Sequence, residues 1–158
     1  VAVFDHFLGA LSKVLAKAEA HCEAHKIDPA ALLTARLFPD MFTFTRQVQL
    51  ATDFAKGPSA RLAGVDIPSF EDTETTFGTL QARIAKTREF LATITPAMLD
   101  GAAMRTIRFR ARGQDHGAPG RAYLSMVALP NFYFHTTTAY NILRHNGVEL
   151  GKGDFVGR

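Results

Sequence analysis

Apolar residues recur at steps of three and four along the first segment: Phe7, Leu8, Leu11, Val14, Leu15, Ala18 and Cys22. That period places one apolar stripe on a helix over residues 4–25. Asp28 followed by Pro29 offers an N-cap with proline in the first turn, so residues 30–37 read as a short connecting helix. The period resumes from Asp40 with Met41, Phe44, Val48, Ala51 and Ala55, and Gly57-Pro58 is expected to end or kink that helix. Residues 61–64 would add one further turn. The stretch 65–72 contains Pro68 and has no sustained period, as a crossing loop would. Asp72, Thr73 and Glu74 suit a helix start, where capping oxygens and negative charge meet free N–H groups. The helix that follows shows Phe77, Leu80, Ile84, Thr87 and Leu91 on one face and should stop near Thr95-Pro96.

The period then changes. Ile107, Phe109 and Ala111 alternate with Arg108, Arg110 and Arg112, the two-residue repeat of a short strand. Residues 113–120 read as a turn-rich loop. Residues 123–146 return to helical spacing but contain Pro130, which predicts a short helix, a kink and a final helix from Asn131 to about His145. Four long helical segments with one strand-like excursion predict an all-α protein, an antiparallel four-helix bundle. No repeat or low-complexity tract interrupts the pattern, so residues 1–158 are expected to form one domain.

Composition narrows the function classes. An apolar share of 47% is ordinary for a globular chain, and no apolar run approaches the roughly 18 residues of a spanning helix, so no membrane role is expected. The first residues carry no charged, apolar, small-residue succession of the secretory kind. Cys22 is the single cysteine, which excludes an intrachain disulfide and a cysteine-built zinc cluster. A cytoplasmic protein in a reducing compartment is expected. Eighteen Lys and Arg against fifteen Asp and Glu give a formal charge of +3, too small to argue for nucleic acid by itself.

Three groups of residues could carry chemistry. Asn131 and His135 stand four apart in an aromatic passage, hence on one helical face that Thr138 continues, with Tyr140 near it. If that face points inward, both are pocket groups or core polar residues bonded to a facing helix, since an unpaired buried polar group costs ~1 to 3 kcal/mol. His21 and His25 also share a face. They have no visible third ligand and suit the favourable end of a helix dipole, while Cys22 falls on the apolar stripe. The basic run Arg105, Arg108, Arg110 and Arg112, followed by Arg121, could grip phosphates or carboxylates. It equally suits a charged edge strand that resists unwanted pairing, and it lacks the aromatic interleaving of a single-stranded nucleic-acid binder.

The passage Leu129-Pro130-Asn131-Phe132-Tyr133-Phe134-His135 also carries a resemblance. So do Pro39-Asp40-Met41-Phe42, Gln47-Val48-Gln49, Asp53-Phe54-Ala55-Lys56-Gly57 and Phe70-Glu71-Asp72-Thr73-Glu74. Together they resemble a bacterial and fungal family of unknown function related to the DinB-like superfamily, over nearly the whole chain. The resemblance implies an up-down-down-up bundle, a homodimer, and a divalent metal held by one His on the second helix and a His-x-x-x-His pair on the last. It also implies transfer or isomerisation reactions using low-molecular-weight thiols. His135 matches the second His of that pair, Asn131 stands at the first, and Gln47 stands at the second-helix position. Amides bind zinc or nickel poorly beside imidazole, so the inherited metal site is expected to be degenerate, with His135 its one imidazole. The leading expectation is a small-molecule pocket lined by Gln47, Asn131, His135 and Tyr140. The alternatives are a homodimeric scaffold, or an anion or nucleic-acid binder through the edge spanning Arg105 to Arg112.

Overall fold

The computed structural model describes residues 1–111 and 113–158; Arg112, expected at the end of the strand, lies outside them. Helix α1 spans Ala2–His25 and buries Leu8, Leu11, Val14, Leu15, Ala18 and Cys22 of the expected stripe; Phe4 and Ala10 are buried with them, and Phe7 is half-buried. Helix α2, Pro29–Leu33, is capped by Asp28, whose carboxylate accepts the Ala30 N–H at 3.0 Å. It is shorter than expected because the chain turns at once: the Ala35 carbonyl accepts the Phe44 N–H at 2.9 Å.

Helix α3 runs unbroken over Phe44–Ala63, starting after the Thr43 cap and ending at Gly64 in the left-handed region (φ 72°). The expected break at Gly57-Pro58 does not occur. Proline removes one helical N–H and leaves the Phe54 carbonyl without its partner, but Gly57, Pro58 and Ala60 are buried by the surrounding helices, and packing outweighs that loss.

Helix α4 covers Phe77–Ala92 and begins at a Thr76/Thr79 capping box. Asp72 and Glu74 therefore do not start it; they turn to Arg83 instead. A 3₁₀ turn at Pro96–Leu99 leads to a two-stranded antiparallel hairpin. Strand β1 is Thr106–Ala111 and β2 is Gln114–Pro119, with Thr106 opposite Pro119 and Arg110 opposite Asp115. The segment expected as a loop is thus a strand. Its residues lie almost wholly exposed, so no buried face imposed an alternating pattern on them.

After β2 the chain is helical from Gly120 to His145: α5 (Gly120–Tyr123), a π turn (Leu124–Ala128) and α6 (Leu129–His145). Pro130 is the second residue after the π turn, so the missing N–H is absorbed by one widened turn in place of a separate short helix and kink. A last short helix, α7 (Lys152–Val156), packs on α1.

The four long helices touch in a ring, α1 on α4, α4 on α3, α3 on α6 and α6 on α1. Each contributes one fully buried phenylalanine: Phe4, Phe77, Phe44 and Phe132. The Phe4 and Phe132 rings meet edge to face at 4.9 Å, and those of Phe44 and Phe77 lie 6.1 Å apart, so one aromatic pair fastens α1 to α6 and the other α3 to α4. The architecture is mostly helical with one small sheet, and the hairpin hangs beside the end of α3 where α5 begins.

Candidate functional site

Packing of α6 on α3 brings two of the sequence-selected residues together. His135 Nδ1 lies 2.7 Å from Gln47 Oε1, and both side chains are buried. The Gln47 amide nitrogen donates to the Phe42 carbonyl at 3.4 Å, which orients Oε1 toward the imidazole. His135 therefore donates through Nδ1 and keeps a bare lone pair on Nε2. Burial, with the nearby Arg46 charge adding to it, pulls the His135 pKa down from 6.5 to about 4, so the ring is neutral near pH 7. One face of the ring stacks on Phe54, centroids 5.5 Å apart and planes 20° apart.

Asn131 sits one turn before His135 but serves elsewhere. Its amide nitrogen donates to the Val127 carbonyl at 2.7 Å, inside the π turn, and its side chain lines a cleft of about 660 Å³. Phe54 lines the same cleft, so the stacked His135 stands directly behind its wall. Tyr140 is not brought to this place; its ring packs edge-on against Phe155 at 5.8 Å, on the α1–α7 side.

The cleft lies between α3, the start of α6 and the hairpin. Leu50, Phe54, Ile67, Phe109 and Val127 give it apolar walls. Lys56, Arg61 and Arg110 supply three cations against the single carboxylate of Asp53. That carboxylate is already shared by Lys56 at 2.7 Å and Arg83 at 2.9 Å. Tyr123, almost fully buried, accepts from Arg61 Nη1 at 3.3 Å. Burial pushes its phenol above the ordinary value, with Arg61 pulling partly back, so it remains a proton donor.

Sequence reasoning missed most of this cleft. Asp53, Phe54, Arg61, Phe109 and Tyr123 belong to three elements whose adjacency only the helix order decides. One signal was present: Gln49, Thr52 and Asp53 interrupt the apolar face of α3, and all three join an ion and hydrogen-bond network around the buried Arg83. The basic run divides. Arg105 is spent on the Leu62 carbonyl at 2.9 Å and the Asp100 carbonyl at 3.3 Å, tying the hairpin to α3, whereas Arg110 reaches the cleft. The His21 and His25 rings lie tilted against each other at the end of α1, centroids 4.2 Å apart, with His25 Nδ1 on the His21 carbonyl at 3.0 Å.

A model of the family described as Domain of unknown function (DUF1993) matches residues 1–156. The chain belongs to the DUF1993 family. This DUF1993 chain is also similar to a solved structure, the crystal structure of a DinB family member protein from Shewanella denitrificans at 1.83 Å resolution. The two are 42% identical with a TM-score of 0.94, over 99% of this chain and 89% of that one. The kinship with DinB-like proteins that the sequence resemblance implied is thereby shown. No match was found among curated proteins.

The divalent metal that the resemblance implies does not fit these residues. At the three matching positions stand one imidazole and two amides, which are poor ligands for zinc or nickel beside imidazole, and Gln47 Oε1 is already engaged by His135. Among the described residues no three His, Cys, Asp or Glu side chains cluster as a metal would need, and no helix is long and apolar enough to cross a membrane.

Proposed function

We propose that this protein is a single-domain, DinB-like four-helix bundle, up-down-down-up, that binds a small organic molecule in the cleft between α3, α6 and the hairpin. One observation carries the reading. A cleft of about 660 Å³, within the usual size range of small-molecule sites, has Asn131 and Phe54 on its wall and the neutral His135 stacked behind Phe54. The Gln47–His135 bond holds the wall in place, and no metal takes part in binding. The lone, buried Cys22 accords with a reducing, cytoplasmic setting.

An NMR fragment screen on the full chain tests this. Amide shifts grouped at Phe54, Tyr123 and Asn131 are expected; hits confined to other surfaces would remove the reading. Elemental analysis of untagged protein is expected to find no stoichiometric zinc or nickel.

A second reading, a homodimeric scaffold, is favoured by the exposed rings of Phe38, Phe42 and Phe134. Phe42 and Phe134 flank the Gln47–His135 pair, the first through its carbonyl and the second through ring contact with His135 at 5.3 Å. A homodimer is compatible with either reading. A monomeric mass by light scattering at micromolar concentration would contradict it.

A further inference from the structure

The hydrogen-bonding groups left over in the cleft are nearly all donors, and that bias defines what can enter it. Tyr123 accepts one bond from Arg61, and among the described residues its own O–H has no acceptor, although the side chain is only 3% exposed. Arg61 makes that one side-chain bond and no ion pair among the described residues. Arg110 likewise makes no ion pair there; it donates once, to the Gly113 carbonyl at 3.2 Å. The four other groups of charge are accounted for, because Lys56 and Arg83 both lie on the Asp53 carboxylate, and Arg83 also meets Glu74.

Arg61 touches the Tyr123 hydroxyl, and the Tyr123 ring lies 4.9 Å from Phe109; Arg110, the next residue of the strand, also lines the cleft. Gly57 makes room for the arrangement, since a Cβ there would come within 3.0 Å of Arg61 Nη1. Two guanidinium groups without an ion pair among the described residues, and a buried phenol donor, thus belong to one cleft that Leu50, Phe54, Ile67 and Val127 also wall. A planar guanidinium fork matches a carboxylate in two parallel hydrogen bonds, and an apolar wall rewards an apolar body.

We propose that the cleft binds a small organic carboxylate, its carboxyl group held by Arg61, Arg110 and the Tyr123 hydroxyl, its apolar or aromatic body against Phe54 and Phe109. This rests on the ligand-pocket reading above and adds the chemical class. Asn131, whose amide oxygen has no partner among the described residues, meets a donor at the far end of the ligand. A phosphate ester is the competing anion. It is disfavoured because, among the described residues, no long helix N-terminus or glycine-rich loop lines the cleft to offer the run of backbone N–H groups phosphates favour.

The test is calorimetric and NMR titration of the full chain with four probes: phenylacetate, its neutral amide phenylacetamide, phenyl phosphate and inorganic phosphate. Phenylacetate is expected to bind with shifts at Phe54, Phe109 and Tyr123, about tenfold or more tighter than phenylacetamide, and to weaken as salt rises. Arg110→Met, an exposed change with little to lose in folding, is expected to weaken phenylacetate by about tenfold while leaving phenylacetamide unchanged. Tyr123→Phe should do the same to a smaller degree. Equal affinity for acid and amide at these residues would overturn the carboxylate assignment while leaving the pocket intact. Tighter binding of phenyl phosphate or inorganic phosphate would replace carboxylate with phosphate. Failure of every probe to shift Phe54 or Tyr123 would sink both this proposal and the pocket.

Discussion

His135 Nδ1 donates to Gln47 Oε1 across 2.7 Å, a buried bond between side chains 88 residues apart that ties α6 to α3. Removing either partner strands the other. His135→Ala leaves a void and an orphaned amide oxygen, and Gln47→Ala leaves a buried Nδ1–H. Each single change is expected to lower stability by about 2 to 4 kcal/mol, with the double variant costing less than the sum. Urea melts of the three variants give the coupling directly. Near-native stability in both singles would mean that the pair holds nothing together.

Acid should loosen the same contact. The His135 pKa in the folded protein is about 4, below the ordinary 6.5 of the unfolded chain, so the unfolded state takes up a proton first as pH falls. The contribution of His135 to stability is therefore complete above about pH 6.5, declines between 6.5 and about 4, and has no further to fall below that, with a ceiling of about 3 kcal/mol. Stability measured against pH in wild type and His135→Gln isolates it, because the two proteins differ at that ring alone. Parallel pH curves over that window would show that the ring is not buried neutral.

How far the sequence speaks depends on whether a feature is local. The α1 stripe from Leu8 to Cys22 is readable because its positions repeat at helical spacing. The passage of α3 through Pro58 is not, since neighbouring helices supply the stabilisation that the proline removes. Strand β2 hides for the opposite reason: exposed on both faces, Gln114 to Pro119 had no alternation to show. At the candidate site, His135 and Asn131 stand out in the sequence as polar residues among aromatics. Arg61, Tyr123 and Phe109 do not, because nothing local distinguishes a cleft arginine from a solvated one.

Arg83 is another residue whose role only the tertiary structure reveals. The residue is 4% exposed, and its guanidinium meets Thr52 at 2.7 Å, Asp53 at 2.9 Å, Glu74 at 3.0 Å and the Glu71 carbonyl at 3.0 Å. It pins the segment between α3 and α4 to both helices. Arg83→Met leaves several carboxylates facing one another without their shared cation, and a loss of about 3 to 5 kcal/mol is expected. Limited proteolysis should then cut residues 65–76 faster than in wild type. Arg83→Lys should recover only part of the loss, since one ammonium cannot span the same partners. Full recovery by lysine would show that charge alone, without the planar fork, holds the segment.

The hairpin depends on one close approach of backbones. Gly120, at the junction of β2 and α5, is buried, and its N–H donates to the Arg105 carbonyl at 2.9 Å. A Cβ added there would lie 2.0 Å from the Ala102 carbonyl oxygen and 2.9 Å from a Leu62 methyl. The methyl could swing aside, but the carbonyl belongs to the backbone of the turn that launches β1. Gly120→Ala must therefore push the hairpin off the end of α3, breaking the Arg105–Leu62 tie and moving Phe109 away from Tyr123. A destabilisation of about 3 kcal/mol or more is expected, in the range of severe overpacking. Gly151→Ala is the matched control, because nothing lies within 4 Å of its built Cβ, and it should change stability by no more than about 0.5 kcal/mol. Thermal melts of the two variants side by side decide the matter. Equal melting would mean that the hairpin can move away without cost, and that the wall it gives the cleft is not fixed by this contact.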